Sequence, residues 1–253
     1  MRYQVLGCFG GEVPGYRLSS FLLDETLLID TGSVTAALEI ASQARIDHVL
    51  LTHSHLDHSR GLAHLADNVF GLRTAPVGVY SIEPVLDGLK ASLLNNILWP
   101  DFTEIGDAHG PVLTFQSLPE DRPTILGPFT ITPVRVHHTV ACVGYLLERD
   151  ARVLLHIGDT GPTEQVWQVA RQAGNLKAVV VETSFPSRLQ GLAEGSGHLT
   201  PHTLGGELAK LGRDVPVFVY HLKPQFAPEI RQEIRDRFGS RVRILEQGAT
   251  YEF

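Results

Sequence analysis

Short apolar runs recur along both halves of the 253-residue chain. Residues 3–6, 20–23, 27–30 and 49–51 read as strands in the first half, and 129–136, 143–147, 153–157, 178–181 and 217–220 in the second. Between them, apolar positions switch to helical spacing. Residues 34–44 follow Ser33, a suitable N-cap. Residues 163–173 follow Gly161-Pro162, and 204–211 follow Thr200-Pro201, where proline suits a first helical turn. Residues 82–94 and 228–238 complete the helical set. With no repeat, low-complexity tract or long linker, residues 1–253 read as one domain. Strands and helices mixed in two similar halves suit two sheets packed face to face with helices outside, an α/β, four-layer αββα sandwich. Periodicity alone also fits a doubly wound sheet.

Composition narrows the class. Hydrophobic residues make up 43% and charged residues 19%, the balance of a globular protein and not of a disordered one. No apolar run reaches the roughly 18–20 residues of a membrane helix. Residues 1–11 lack the apolar stretch of about 7–15 residues that marks a signal peptide, so a cytoplasmic location is the expectation. Cys8 and Cys142 have no metal-type spacing and read as small buried apolar residues. The net charge of −7 gives no electrostatic footprint for a nucleic-acid backbone. The most basic stretch, residues 231–243, interleaves its arginines with Glu233 and Asp236 as a solvated helix face does. A small anionic substrate stays open, because bound metals would dominate the local field.

The densest chemistry follows the run Val49-Leu50-Leu51. In Thr52-His53-Ser54-His55-Leu56-Asp57-His58, four possible ligands fall within six residues. Residues two apart on extended chain point the same way, so His53 and His55 can grip one ion together. Asp57 and His58 come after the chain turns and face a neighbouring point. A polar loop that merely caps a helix is the alternative. Two metal sites need further ligands, and these stand after other strand-like runs: His137 and His138, Asp159, and His221. Any one of them alone would read as a structural residue; together they are hard to explain that way.

These residues resemble the metallo-β-lactamase superfamily, whose motif is H-x-H-x-D-H followed by a later His, an Asp and a final His. The resemblance runs from Gly7 to the C-terminal strand. It implies that His53, His55 and His138 bind one metal, that Asp57, His58 and His221 bind a second, and that Asp159 bridges them. His138 is favoured over His137 by the string His-Thr-Val-Ala. Five imidazoles and two carboxylates suit two divalent ions, zinc first, with manganese or iron as substitutes.

Within the superfamily the chain is most similar to class II cyclic-nucleotide phosphodiesterases. The shared strings are His53-Ser54-His55-Leu56-Asp57-His58 with Gly61-Leu62, Asn95-Asn96-Ile97-Leu98-Trp99-Pro100, Gly158-Asp159-Thr160-Gly161, Glu182-Thr183-Ser184-Phe185-Pro186, Gly197-His198-Leu199-Thr200-Pro201 and His221-Leu222-Lys223-Pro224. Ser59, His64 and Asp67 depart from that family's signature at positions that are not ligands. The resemblance implies hydrolysis of a 3′,5′-cyclic nucleotide, cAMP or cGMP, to the 5′-monophosphate by a hydroxide held between the ions.

Asp57, His198 and Glu182 are the catalytic candidates. His198, in the glycine-flanked loop 195–197, is the candidate proton donor, with a helix cap as its plain alternative; Glu182 either orients it, as in a similar turn of tRNA 3′-end nucleases, or orients a ligand histidine. Asn95, Asn96 and Trp99 are candidates for base and ribose, and Lys223 for phosphate. Each also has a plain structural reading, as helix cap, core residue or solvated lysine. The expected partner is a small phosphodiester, with no membrane and no nucleic acid. A homodimer is one option for the assembly. Competing activities are tRNA 3′ processing, a lactonase or thioesterase, and a redox or binding protein on the same scaffold. The acidic chain lacks a tRNA-binding arm, and His55 stands where diiron reductases carry Glu.

Overall fold

The computed structural model describes residues 1–253, and the apolar runs lie in it as two seven-stranded sheets. The first half supplies β1 (Arg2–Gly7), β2 (Ser20–Leu23), β3 (Leu27–Ile29), β4 (His48–Leu50) and β5 (Val77–Ser81), then an exposed hairpin of β6 (Gly106–Asp107) and β7 (Gly110–Pro111), then β8 (Leu113–Ser117). The second half supplies β9 (Thr124–Leu126), β10 (Phe129–Arg135), β11 (Val143–Arg149), β12 (Arg152–His156), β13 (Leu176–Glu182), β14 (Val217–Tyr220), β15 (Val242–Ile244) and β16 (Thr250–Glu252). The strand orders are β16-β1-β2-β3-β4-β5-β8 and β15-β14-β13-β12-β11-β10-β9. In the first sheet β3, β4, β5 and β8 run parallel after an antiparallel start. The second repeats the plan, with β12 to β15 parallel. This shared plan is why the halves look alike as sequence.

Nine helices join the strands: α1 (Val34–Ala37), α2 (Ile40–Gln43), α3 (Leu56–Ser59), α4 (Gly61–Val69), α5 (Glu83–Ser92), α6 (Gln165–Gln172), α7 (Gln190–Ser196), α8 (Pro201–Leu211) and α9 (Ala227–Phe238). Helix α5 packs on β5 and β8, α6 on β10 and α9 on β15. The sheets meet through aromatic and polar contacts. Tyr3 Oη lies 2.9 Å from His156 Nδ1, the Tyr145 hydroxyl donates to the Leu51 carbonyl at 2.6 Å, and Phe21 meets Tyr220 edge-on. One apolar cluster of 72 buried residues runs through both halves, so neither half has a core of its own. None of the helices is long and apolar enough to cross a membrane.

Several elements differ from the expectation. The helix expected over 34–44 is two short ones. Leu38 and Glu39 are extended, and the Gln43 amide bonds the Leu38 carbonyl at 2.7 Å, satisfying the backbone at the break. Ser33 makes no capping bond. Strand β5 is hidden in the sequence by Gly78, whose missing side chain leaves room for the Tyr80 ring. The loop expected at 195–197 is the end of α7, closed by Gly197 in the left-handed region at φ 67°. Helix α8 starts three residues after His198, capped reciprocally by Thr200 and Thr203. It is tied to α6 by the buried Glu207 carboxylate, which accepts from Trp167 Nε1 at 2.7 Å, Thr163 N at 3.0 Å and Lys210 Nζ at 2.7 Å. Both cysteines are buried and unpaired.

Candidate metal centre

Strand β4, buried between β3 and β5, delivers the chain to Thr52, whose N–H donates to Asp30 Oδ1 at 2.8 Å and whose hydroxyl reaches Oδ2 at 2.9 Å. The chain then passes through His53 and His55 into α3, which carries Asp57 and His58. The His58 carbonyl accepts from Thr31 N at 2.6 Å, pinning the helix to the end of β3. Gly61 permits that approach, since a Cβ there would collide with the Thr31 carbonyl. The second sheet delivers His138 after β10, Asp159 after β12 and His221 after β14. His221 is held at φ 69°, a conformation that costs a non-glycine residue about 1–3 kcal/mol and collects at functional sites.

These seven side chains converge. His53, His55 and His138 have ring centroids 4.7–5.0 Å apart, and His138 Nε2 lies 3.2 Å from His55 Nδ1. Beside them, His221 Nε2 is 3.1 Å from His58 Nε2 and 3.2 Å from Asp57 Oδ2. Asp159 Oδ2 lies between the two groups, 3.9 Å from His53 Nε2, 3.4 Å from His58 Nε2 and 3.3 Å from His221 Nε2. His137 is exposed, its ring outside every such cluster.

Hydrogen bonds on the far side of several rings fix which nitrogen faces inward. His58 Nδ1 donates to Asp30 Oδ2 at 2.7 Å. His138 Nδ1 donates to the Gly197 carbonyl at 2.9 Å, and His53 Nδ1 meets the Thr52 hydroxyl at 3.0 Å. Such partners set the tautomer and leave Nε2 as an electron-pair donor. Burial lowers the pKa of His53, His55, His138 and His221, favouring the neutral ligand form. Burial also opposes charge on His58, but Asp159 and Asp30 outweigh it and raise its pKa well above the usual value. For Asp57 and Asp159 burial favours the neutral acid, and the surrounding histidines, His221 foremost, hold both well below the carboxylate range.

The donor set fits a pair of divalent cations. His53 Nε2 and Asp159 Oδ1 are buried without a hydrogen-bond partner. Inward-facing imidazole nitrogens about 3 Å apart repel unless a proton or cation lies between them. Two triads joined by one carboxylate are the donor arrangement that a pair of ions sharing a ligand would need. Gly10 is part of this arrangement, because a Cβ there would lie 2.6 Å from the His221 ring and 2.8 Å from its carbonyl. Gly10→Ala should displace His221 and weaken the second cation at least about tenfold, a loss of the size seen when support of a ligand is disturbed. Zinc titration of the folded variant checks this; unchanged uptake would show that the ring has room to move.

His198 lies over both triads, its ring 5.1 Å from His138 and stacked 5.4 Å from His221. Its Nδ1 donates to Glu182 Oε1 at 2.7 Å, and the same carboxylate accepts from Thr160 N, Leu199 N and the Ser184 hydroxyl. Burial opposes charge on His198, yet Glu182 and Asp159 raise its pKa. Lys223, two residues past His221, donates to the Gly10 carbonyl at 2.5 Å. The Asn95 amide is committed to its own loop, donating to the Ala91 carbonyl and accepting from Ile97 N and Leu98 N. Asn96 has its oxygen engaged by Asp101 N, and Trp99 stands edge-on to His64 at 4.8 Å. In this loop Ile97 and Leu98 are exposed.

Asp30, Thr52 and Ser184 also belong to the site, and the sequence marks one of them. Asp30-Thr31-Gly32 follows a strand just as Asp159-Thr160-Gly161 does, so the signal that marks Asp159 marks Asp30 as well. Thr52 and Ser184 carry no such signal. A family model described as Beta-lactamase superfamily domain matches residues 26–221. The chain is 23% identical over 265 residues to the probable metallo-hydrolase YhfI of Bacillus subtilis, with both chains covered completely. It is 25% identical over 245 residues to a probable 3′,5′-cyclic-nucleotide phosphodiesterase of Yersinia pestis, covering 82% of this chain and 68% of that one. The crystal structure of unliganded yeast PDE1 matches with a TM-score of 0.81 at 19% identity, covering 98% of each chain, which shows a shared fold.

Proposed function

The chain belongs to the beta-lactamase superfamily, and from that membership we propose that it is a metal-dependent phosphodiesterase that opens a 3′,5′-cyclic nucleotide to its 5′-monophosphate. The observation that carries this reading is His198, held by Glu182 in ring contact with a ligand of each triad. A proton donor standing over two adjoining cation sites is what cleavage of a P–O bond to a poor leaving group needs. The name of the relative from Yersinia pestis supports the same substrate class.

His53, His55 and His138 would hold one cation, Asp57, His58 and His221 the other, with Asp159 shared between them. Zinc suits these nitrogen-rich donors best, with manganese or iron as substitutes. Bound divalent ions supply Lewis acidity, which eases deprotonation of water and offsets charge on phosphoryl oxygens. The chain's own groups do the rest. His198 Nε2–H faces the leaving O3′ and gives it a proton as the P–O3′ bond breaks. Glu182 keeps Nδ1–H in place and stabilises the charged ring until then. Asp57 stays ionised and holds a proton of the attacking water. Lys223 would exchange the Gly10 carbonyl for a phosphoryl oxygen. The ribose and base are assigned to Asn96 and the Trp99 face; Asn95 serves there by shaping the turn.

Purified protein should be incubated with zinc or manganese and, separately, cAMP, cGMP, bis(p-nitrophenyl) phosphate and a lactone. Release of 5′-AMP or 5′-GMP is the expected result. Turnover of the lactone alone would sink the proposal.

A further inference from the structure

Glu182 and Ser184 are two residues apart where β13 ends, so their side chains leave the chain on the same side. Both are fully buried. The Ser184 N–H donates to the Leu199 carbonyl at 3.0 Å, and its own carbonyl accepts from Lys223 N at 3.2 Å. Ser184 thereby clips the segment that carries His198 to the one that carries His221. Its hydroxyl has three neighbours: Glu182 Oε2 at 2.9 Å, His221 Nδ1 at 2.9 Å and His198 Nδ1 at 3.2 Å.

One hydroxyl proton serves those three neighbours, and donor arithmetic fixes its place. An ionised carboxylate only accepts, so the Ser184 proton points to Glu182. His198 Nδ1–H has the shorter partner in Glu182 Oε1, at 2.7 Å. The Ser184 oxygen is left to accept from His221 Nδ1–H. That tautomer puts the His221 electron pair on Nε2, the atom facing Asp57, His58 and Asp159. We propose that Ser184 is a positioning residue through which the Glu182 carboxylate sets the tautomer and aim of His221, so that one buried carboxylate holds both the proton donor and a ligand of the second cation. The proposal rests on the two-cation reading of the site and not on its substrate.

The test measures zinc binding to the full chain by competition with a chromophoric chelator, with no substrate present. Ser184→Ala should take the first zinc as the wild type does and the second about 10–100-fold more weakly, the usual effect of removing a ligand's partner. Ser184→Thr keeps the hydroxyl and should restore the second site, which separates this role from general loss of folding. In 15N-labelled protein, the His221 Nδ1–H resonance should lose its hydrogen-bonded shift in Ser184→Ala and regain it in Ser184→Thr. Glu182→Gln should weaken the second zinc in the wild-type background and weaken it less in the Ser184→Ala background, because its influence on His221 passes through the hydroxyl. Additive losses, or a second zinc bound normally by Ser184→Ala, would overturn the proposal. A wild type that takes up a single zinc would overturn it too, by removing the two-cation reading. Failure to turn over cyclic nucleotides would leave all these zinc measurements standing.

Discussion

Asp159→Ala is expected to strip the protein of its cations and abolish turnover while the fold persists. Asp159 Oδ2 reaches nitrogens of both triads at 3.3–3.9 Å, and Oδ1 has no other partner. Without it, His53, His58 and His221 face one another with no shared negative charge. No other group can replace that charge: Asp57 touches only the second triad, and Asp30 is spent on Thr52 and His58 from behind. The backbone should hold, because the residue stands in the loop after β12 and its side chain points into the site and not into the apolar core. Metal content by atomic absorption should fall far below that of the wild type, with circular dichroism unchanged. Two ions retained along with activity would refute the bridging role.

His198→Ala should act on the chemistry and spare the metals. A positioned acid contributes about 10²–10⁴-fold, so cyclic-nucleotide turnover should drop by that factor with zinc content unchanged. Bis(p-nitrophenyl) phosphate, whose leaving group needs little help from a proton, should lose much less. Equal losses on both substrates would count against a donor role. The pH profile gives an independent check. His198 must be protonated to act, and Glu182 raises its pKa. Wild-type kcat should therefore hold through neutral pH and decline on the alkaline side as the ring loses its proton. His198→Ala should lack that alkaline limb, and its persistence would assign the limb to another group.

The seven side chains that converge were legible in the sequence because coordination demands few residue types and because strand ends place them. The string from His53 to His58 is dense enough to stand out, and His138, Asp159 and His221 each follow an apolar run. What supports the ligands was less visible. Thr52 and Ser184 are small polar residues whose roles exist only through partners brought close by folding, such as the 37 residues separating Ser184 from His221. The fold was legible where strands were unbroken apolar runs, even the three-residue β3 and β4, and faded where the run was broken. Gly78 interrupts the apolar run of β5, and β8 alternates poorly at its sheet edge, with two of its five residues exposed. Glycines at 191 and 195 disguised α7 as loop, although its backbone closes regularly at Gly197.

The first sheet contributes four of the seven proposed ligands and the second sheet three, with His58 and His221 separated by 163 residues. A chain still assembling its halves therefore has no complete cage to offer. Pairing between such distant segments is slow to form, so ions held by both sheets would find their full grip late in folding. Interactions absent from the barrier to folding leave its rate alone and retard the return journey. The cations would then act as a latch fastened last, lengthening the lifetime of the native protein without hastening its birth.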